Sequence, residues 1–121
     1  MLNVERGDRK ISTYNHRVVL YFTPNDAIKV ENYLAETGMG KNFFVDLAIR
    51  EFLESNVVIE KEPDARNLDY EGEKKTNFIY AKISDVTEVL FDIKTQKNKI
   101  SRSALGARAV LDFIDKENLY D

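Results

Sequence analysis

Apolar positions along the chain change their period twice, in the same order each time. Residues 17–22, RVVLYF, are rich in β-formers and place Val18, Leu20 and Phe22 on one side. Thr23-Pro24 follows, a hydroxyl suited to capping a helix and then a proline at the first helical position, where an N–H would have no intrahelical partner. From there NDAIKVENYLAETG sets Ala27, Val30, Tyr33 and Leu34 on one helical face and stops at Gly38. A second helix opens around Gly40, Lys41 and Asn42 and runs through FFVDLAIREFLESN, with Phe44, Leu47, Ala48 and Phe52 on a stripe broken only by Glu51.

The next stretch, EKEPDARNLDYEGEKK, is polar and acidic, as suits a linker that need not pack. The pattern then starts again. NFIYAKI, residues 77–83, alternates as a strand, Ser84 supplies a cap, and DVTEVLFDIKTQKN and SRSALGARAVLDFIDKEN read as two helices. In the first of these, Val86, Val89 or Leu90, and Ile93 are expected to face the core. An offset of 61 residues lays Phe22 on Ile83, Thr23 on Ser84, Phe44 on Leu105, Ala48 on Ala109 and Phe52 on Phe113. The expected organisation is an N-terminal arm over 1–15, one unit over 16–56, an acidic linker over 57–76 and a second unit over 77–121.

A strand-helix-helix unit of about 40 residues buries too little apolar surface to stand alone, and its strand has no hydrogen-bond partner. Two units solve both problems together. Strands 17–22 and 78–83 pair antiparallel, and the four helices close one core beneath them. The expected fold is mainly α with a two-stranded antiparallel ribbon, in the order β-α-α-β-α-α, with Phe44, Ala48, Phe52, Leu105, Ala109 and Phe113 meeting in the centre.

Composition removes several chemistries. The 121 residues include no cysteine and one histidine, His16, which excludes disulfides, thiolate nucleophiles and multi-histidine metal sites. GMGK at 38–41 lacks the glycine spacing and the Ser or Thr of a phosphate-binding loop, and it joins two helices instead of following a strand. The carboxylates at 60, 62, 64, 69, 71 and 73 fall in the expected linker, a poor place for a rigid acid-base pair. No long apolar run and no signal-peptide core occur, so a cytoplasmic, non-enzymatic protein without a cofactor or a membrane partner is expected. The formal net charge of -3 argues mildly against a nonspecific polyanion binder. Within residues 77–108, however, 6 basic side chains face 3 acidic ones.

The segments RVVLYFTPNDAIKVENYLAETGMGKNFFVDLAIREFLES and NFIYAKISDVTEVLFDIKTQKNKISRSALGARAVLDFIDK, about two-thirds of the chain, resemble the ribbon-helix-helix family of DNA-binding proteins in its tandem form, with two copies in one chain. The resemblance implies a ribbon whose outward side chains read base edges in the major groove: Arg17, Val19 and Tyr21 on the first strand, Phe78, Tyr80 and Lys82 on the second. It also implies that the start of each second helix clamps a DNA phosphate, at Lys41 and Asn42 in one copy and Arg102 and Ser103 in the other. Three aromatic residues and a valine among the six outward positions depart from the usual polar reading set. The implied roles are transcriptional repression or an accessory function in plasmid transfer. The implied partners are double-stranded DNA, further copies of the chain on repeated sites, and a relaxase or other plasmid-processing protein. Because both faces of the strands are largely apolar, a ribbon covered by another protein is an equally good reading of the alternation, and a protein-interaction module on the same scaffold stays open.

Overall fold

Two strands and four helices follow one another as β1 (His16–Phe22), α1 (Pro24–Thr37), α2 (Lys41–Glu54), β2 (Asn77–Ile83), α3 (Asp85–Asn98) and α4 (Arg102–Asn118) in a computed structural model that describes residues 14–55 and 75–118. The expected arm and linker, apart from residues 14–15 and 75–76, lie outside the described residues. No helix among the described residues is long and apolar enough to cross a membrane.

β1 and β2 form one antiparallel ribbon in which His16 faces Ile83, Val19 faces Tyr80 and Phe22 faces Asn77. The two-residue period of a strand sends Val18, Leu20 and Phe22 inward from β1, and Ala81 and Ile83 inward from β2, all of them buried. The helices form the second layer. They interleave between the halves: α4 packs on β1, α2 packs on β2, α3 and α4, and α1 reaches α4. At the centre Phe44 and Phe113 meet edge to face with ring centroids 5.7 Å apart, and Tyr33 lies 5.2 Å from Phe44. The six expected central residues, Phe44, Ala48, Phe52, Leu105, Ala109 and Phe113, are all buried.

Local chemistry sets the helix limits. The Thr23 side chain accepts the Asp26 N–H at 3.2 Å and Pro24 opens α1, which ends at Gly38 with φ 71°, a left-handed turn natural to glycine. At the matching end of α3, 61 residues on, Lys99 takes the same conformation with φ 54°. Ser84 caps α3 by accepting the Thr87 N–H at 3.3 Å.

In α3 the buried side chains are Thr87, Phe91 and Thr95, and Leu90 packs half-buried against the core as one of the expected alternatives, whereas Val86, Val89 and Ile93 point to solvent, against expectation. The cap explains the rotation. Ser84 Oγ and Thr87 Oγ1 lie 3.1 Å apart, which satisfies the threonine hydroxyl locally, and Thr95 donates its own to the Asp92 carbonyl at 3.1 Å. Hydroxyls satisfied in this way can be buried, and the four-residue spacing then carries Phe91 into the core. With this rotation the offset of 61 extends through the first helices, matching buried Val30 with buried Phe91.

Two further features pin α4 and α2. A Cβ on Gly106 would come 2.5 Å from Leu20 Cδ2 and 3.3 Å from Phe91 Cζ, so this helical glycine makes room for both side chains. Asp46, buried on the otherwise apolar side of α2, accepts the Ser84 N–H at 2.7 Å and lies 3.7 Å from Arg50 Nη1. It joins α2 to the β2–α3 corner, where an unpartnered carboxylate would be costly.

Candidate functional site

The outer face of the ribbon carries Arg17, Val19 and Tyr21 from β1 and Phe78, Tyr80 and Lys82 from β2, the six residues expected there; all are exposed except Val19, which is half-buried. The register arranges them as three cross-strand pairs: Arg17 with Lys82, Val19 with Tyr80, and Tyr21 with Phe78. Charge and aromaticity are therefore segregated. One end of the face is a pair of cations. The other is an aromatic cluster, with Tyr21 and Phe78 ring centroids 6.2 Å apart and Phe78 and Tyr80 5.2 Å apart, both edge to face. His16, at the cationic end, holds Asp85 through Nε2, a contact between β1 and the start of α3 that no local sequence signal announces.

Next to the cationic end, Arg17, Lys41, Asn42, Tyr80, Ala81 and Lys82 line an open hollow of about 490 Å³. Lys41 is the first residue of α2. Gly40 precedes it as a cap without a side-chain hydrogen bond, so the positive end of the helix dipole lies beside three cationic side chains. An anion placed here would meet both.

Asn42 and Ser103 occupy the second positions of α2 and α4, and each turns its side chain to the strand of the opposite half. Asn42 Oδ1 accepts the Lys82 N–H at 2.9 Å, and Ser103 Oγ donates to the Val19 carbonyl at 2.8 Å. These bonds dock each helix start against the ribbon. The two side chains expected to meet phosphate thus hold the frame on which the outer face is built.

Arg102 differs from its counterpart Lys41. Its guanidinium bonds Glu88 and, at 3.1 Å, Asp92, and lies over the Phe91 ring at 4.6 Å. Glu88 and Asp92 balance its charge, and Ser101 Oγ already accepts the Ala104 N–H at 3.1 Å. The start of α4 is therefore capped, and the guanidinium expected beside a phosphate is engaged by acids of its own chain. The acid partners sit on the preceding helix, 14 and 10 residues earlier, outside the local sequence of the helix start.

Comparison of the chain with protein-family models, with curated proteins and with solved structures finds no match to any of them.

Proposed function

We propose that this protein is a non-enzymatic, sequence-specific double-stranded DNA-binding protein, a tandem ribbon-helix-helix pseudo-dimer that lays its ribbon in the major groove. The observation that carries the reading is the segregated outer face beside an open, basic helix start. A two-stranded ribbon has the width the major groove admits. Arg17 and Lys82 are donors suited to guanine O6 and N7, and Tyr21, Phe78 and Val19 offer apolar contact for thymine methyl groups. Lys41 and the start of α2 suit one flanking phosphate, while the neutralised start of α4 suits none as well, so the phosphate contacts are lopsided.

From Arg17 to Tyr21 the strand advances about 13 Å, or roughly four base-pair steps of 3.4 Å. That is too little sequence for a unique genomic site, so specificity requires neighbouring chains on repeated or extended sites. Repression of transcription and preparation of plasmid DNA for a relaxase are both served by such an arrangement. Both place the protein in the cytoplasm.

Selection of bound sequences from random duplexes tests the reading. The expected consensus is polar, with guanine at one end and thymine at the other. Replacing thymine by uracil should weaken binding only at the aromatic end, and replacing guanine by its 7-deaza analogue only at the cationic end. A protein with no preference between selected and scrambled duplexes is a protein-interaction module on the same scaffold.

A further inference from the structure

The residues expected to face the core from α3 instead form a row on the surface. Val86, Val89 and Ile93 are 61%, 57% and 55% exposed, and their spacing of three and four residues aligns them on one stripe. At the offset of 61, α1 carries Asn25, Ile28 and Asn32, so only Ile28, 53% exposed, is apolar there. The stripe belongs to α3 alone. Single exposed apolar residues are ordinary, but three in a row on one helix face are the kind of patch that meets another surface.

The charges beside the stripe say which surface. At 100° per residue, Asp85 and Asp92 lie along one flank of α3 and Lys97 along the other. In heptad terms Val86 and Ile93 take position a, Val89 takes d, Asp92 takes g and Lys97 takes e. When two such helices lie parallel and in register, each g residue faces the e residue five positions further along the other helix. Asp92 of one chain then faces Lys97 of the next, and the two-fold axis repeats the pair. An antiparallel arrangement would set Asp85 and Asp92 against the same acidic flank. Asp92 is also held by Arg102 of its own chain, which limits the side-chain freedom that pairing would remove.

We infer that the Val86–Val89–Ile93 stripe of α3 is a self-association surface that takes the α3 of a second copy of this chain, parallel and in register. This inference does not rest on DNA binding. The stripe is small beside the roughly 1,200 Å² or more of a stable interface, so the free protein dimerises weakly and reversibly, and neighbouring chains held on one scaffold engage it more fully.

The 121-residue chain contains no cysteine, which allows a direct test in the chain as it stands. Val86→Cys, Val89→Cys and Ile93→Cys are compared under mild oxidation with Ile28→Cys, a control of similar exposure. The expected result is covalent dimer forming about tenfold faster at each α3 position than at Ile28, since parallel register brings every position onto itself. Lys97→Glu should slow trapping through Val89→Cys several-fold, and Asp92→Lys combined with Lys97→Glu should restore it, with circular dichroism showing the fold intact. Trapping no faster than in Ile28→Cys overturns the proposal. So does preferential cross-linking of Val86→Cys to Ile93→Cys, the mark of antiparallel pairing. A Val89→Cys thiol that dilute, monomeric protein hides from a maleimide overturns it too, because a segment of the same chain would then cover the stripe.

Discussion

The side-chain oxygen of Asn42, at the start of α2, accepts the backbone N–H of Lys82, 40 residues away on the outer edge of β2. Ser103 makes the corresponding reach from α4 to Val19 of β1, using a donor where Asn42 uses an acceptor. Each strand edge is thus tied to a helix of the other half. Asn42→Ala should cost about 0.5–1.5 kcal/mol, and the loss should be local. Amide hydrogen exchange is the measurement: Lys82 N–H should exchange faster, with Val19 and Tyr80 N–H little changed.

Lys41 and Arg102 should separate in DNA titrations. Lys41→Gln should weaken selected and scrambled duplexes alike and flatten the slope of log affinity against log salt by about one unit. Arg102→Gln should leave that slope unchanged, because Glu88 and Asp92 already balance the guanidinium. Its cost should appear in folding, at about 1 kcal/mol for partly exposed ion pairs. Equal flattening of the salt slope by both substitutions would show that Arg102 leaves its acid partners on binding.

Phe52 and Phe113 are buried in the helical layer. Truncating either to alanine should destabilise by about 3–5 kcal/mol, read as a lower urea midpoint at unchanged slope. An effect under about 1 kcal/mol would be incompatible with this helix register.

Lys99 holds a left-handed conformation that its counterpart Gly38 adopts without a steric penalty. A side chain in that region costs about 1–2 kcal/mol, and glycine loses more chain entropy on folding. Lys99→Gly should therefore raise stability by up to about 1 kcal/mol, and a rise in thermal midpoint checks it.

The ribbon, the caps and the central phenylalanines were legible because each has a local signature: period two, Thr-Pro or Ser before a helix, and a four-residue recurrence of large apolar side chains. α3 misled because its most regular apolar series, Val86, Val89 and Ile93, is the exposed one. Its inward face carries two threonines whose hydroxyls are satisfied within their own turns. The ties made by Asp46 and Arg102 were not legible for a different reason. Their partners, Ser84 and the Glu88–Asp92 pair, are brought close by packing between helices and strands, which residue type alone does not encode.

Gly106, lying under Leu20 and Phe91, also governs which halves can marry. At the offset of 61 its counterpart is Val45, and those of Leu20 and Phe91 are Ala81 and Val30. The second half thus brings a void to meet the bulk of Leu20, and the first brings bulk where the other strand offers only alanine. Two first halves would drive Val45 into Leu20, where a Cβ alone already comes within 2.5 Å of Leu20 Cδ2. Two second halves would leave Gly106 above Ala81 with a hole between them. Overfilled and underfilled cores are both penalised, so like-with-like exchange between chains is disfavoured by steric mismatch. Assembled ribbons therefore favour one edge of each kind, and a two-fold pairing of like halves, which would erase the direction that runs from the cations to the aromatic rings, is selected against by packing.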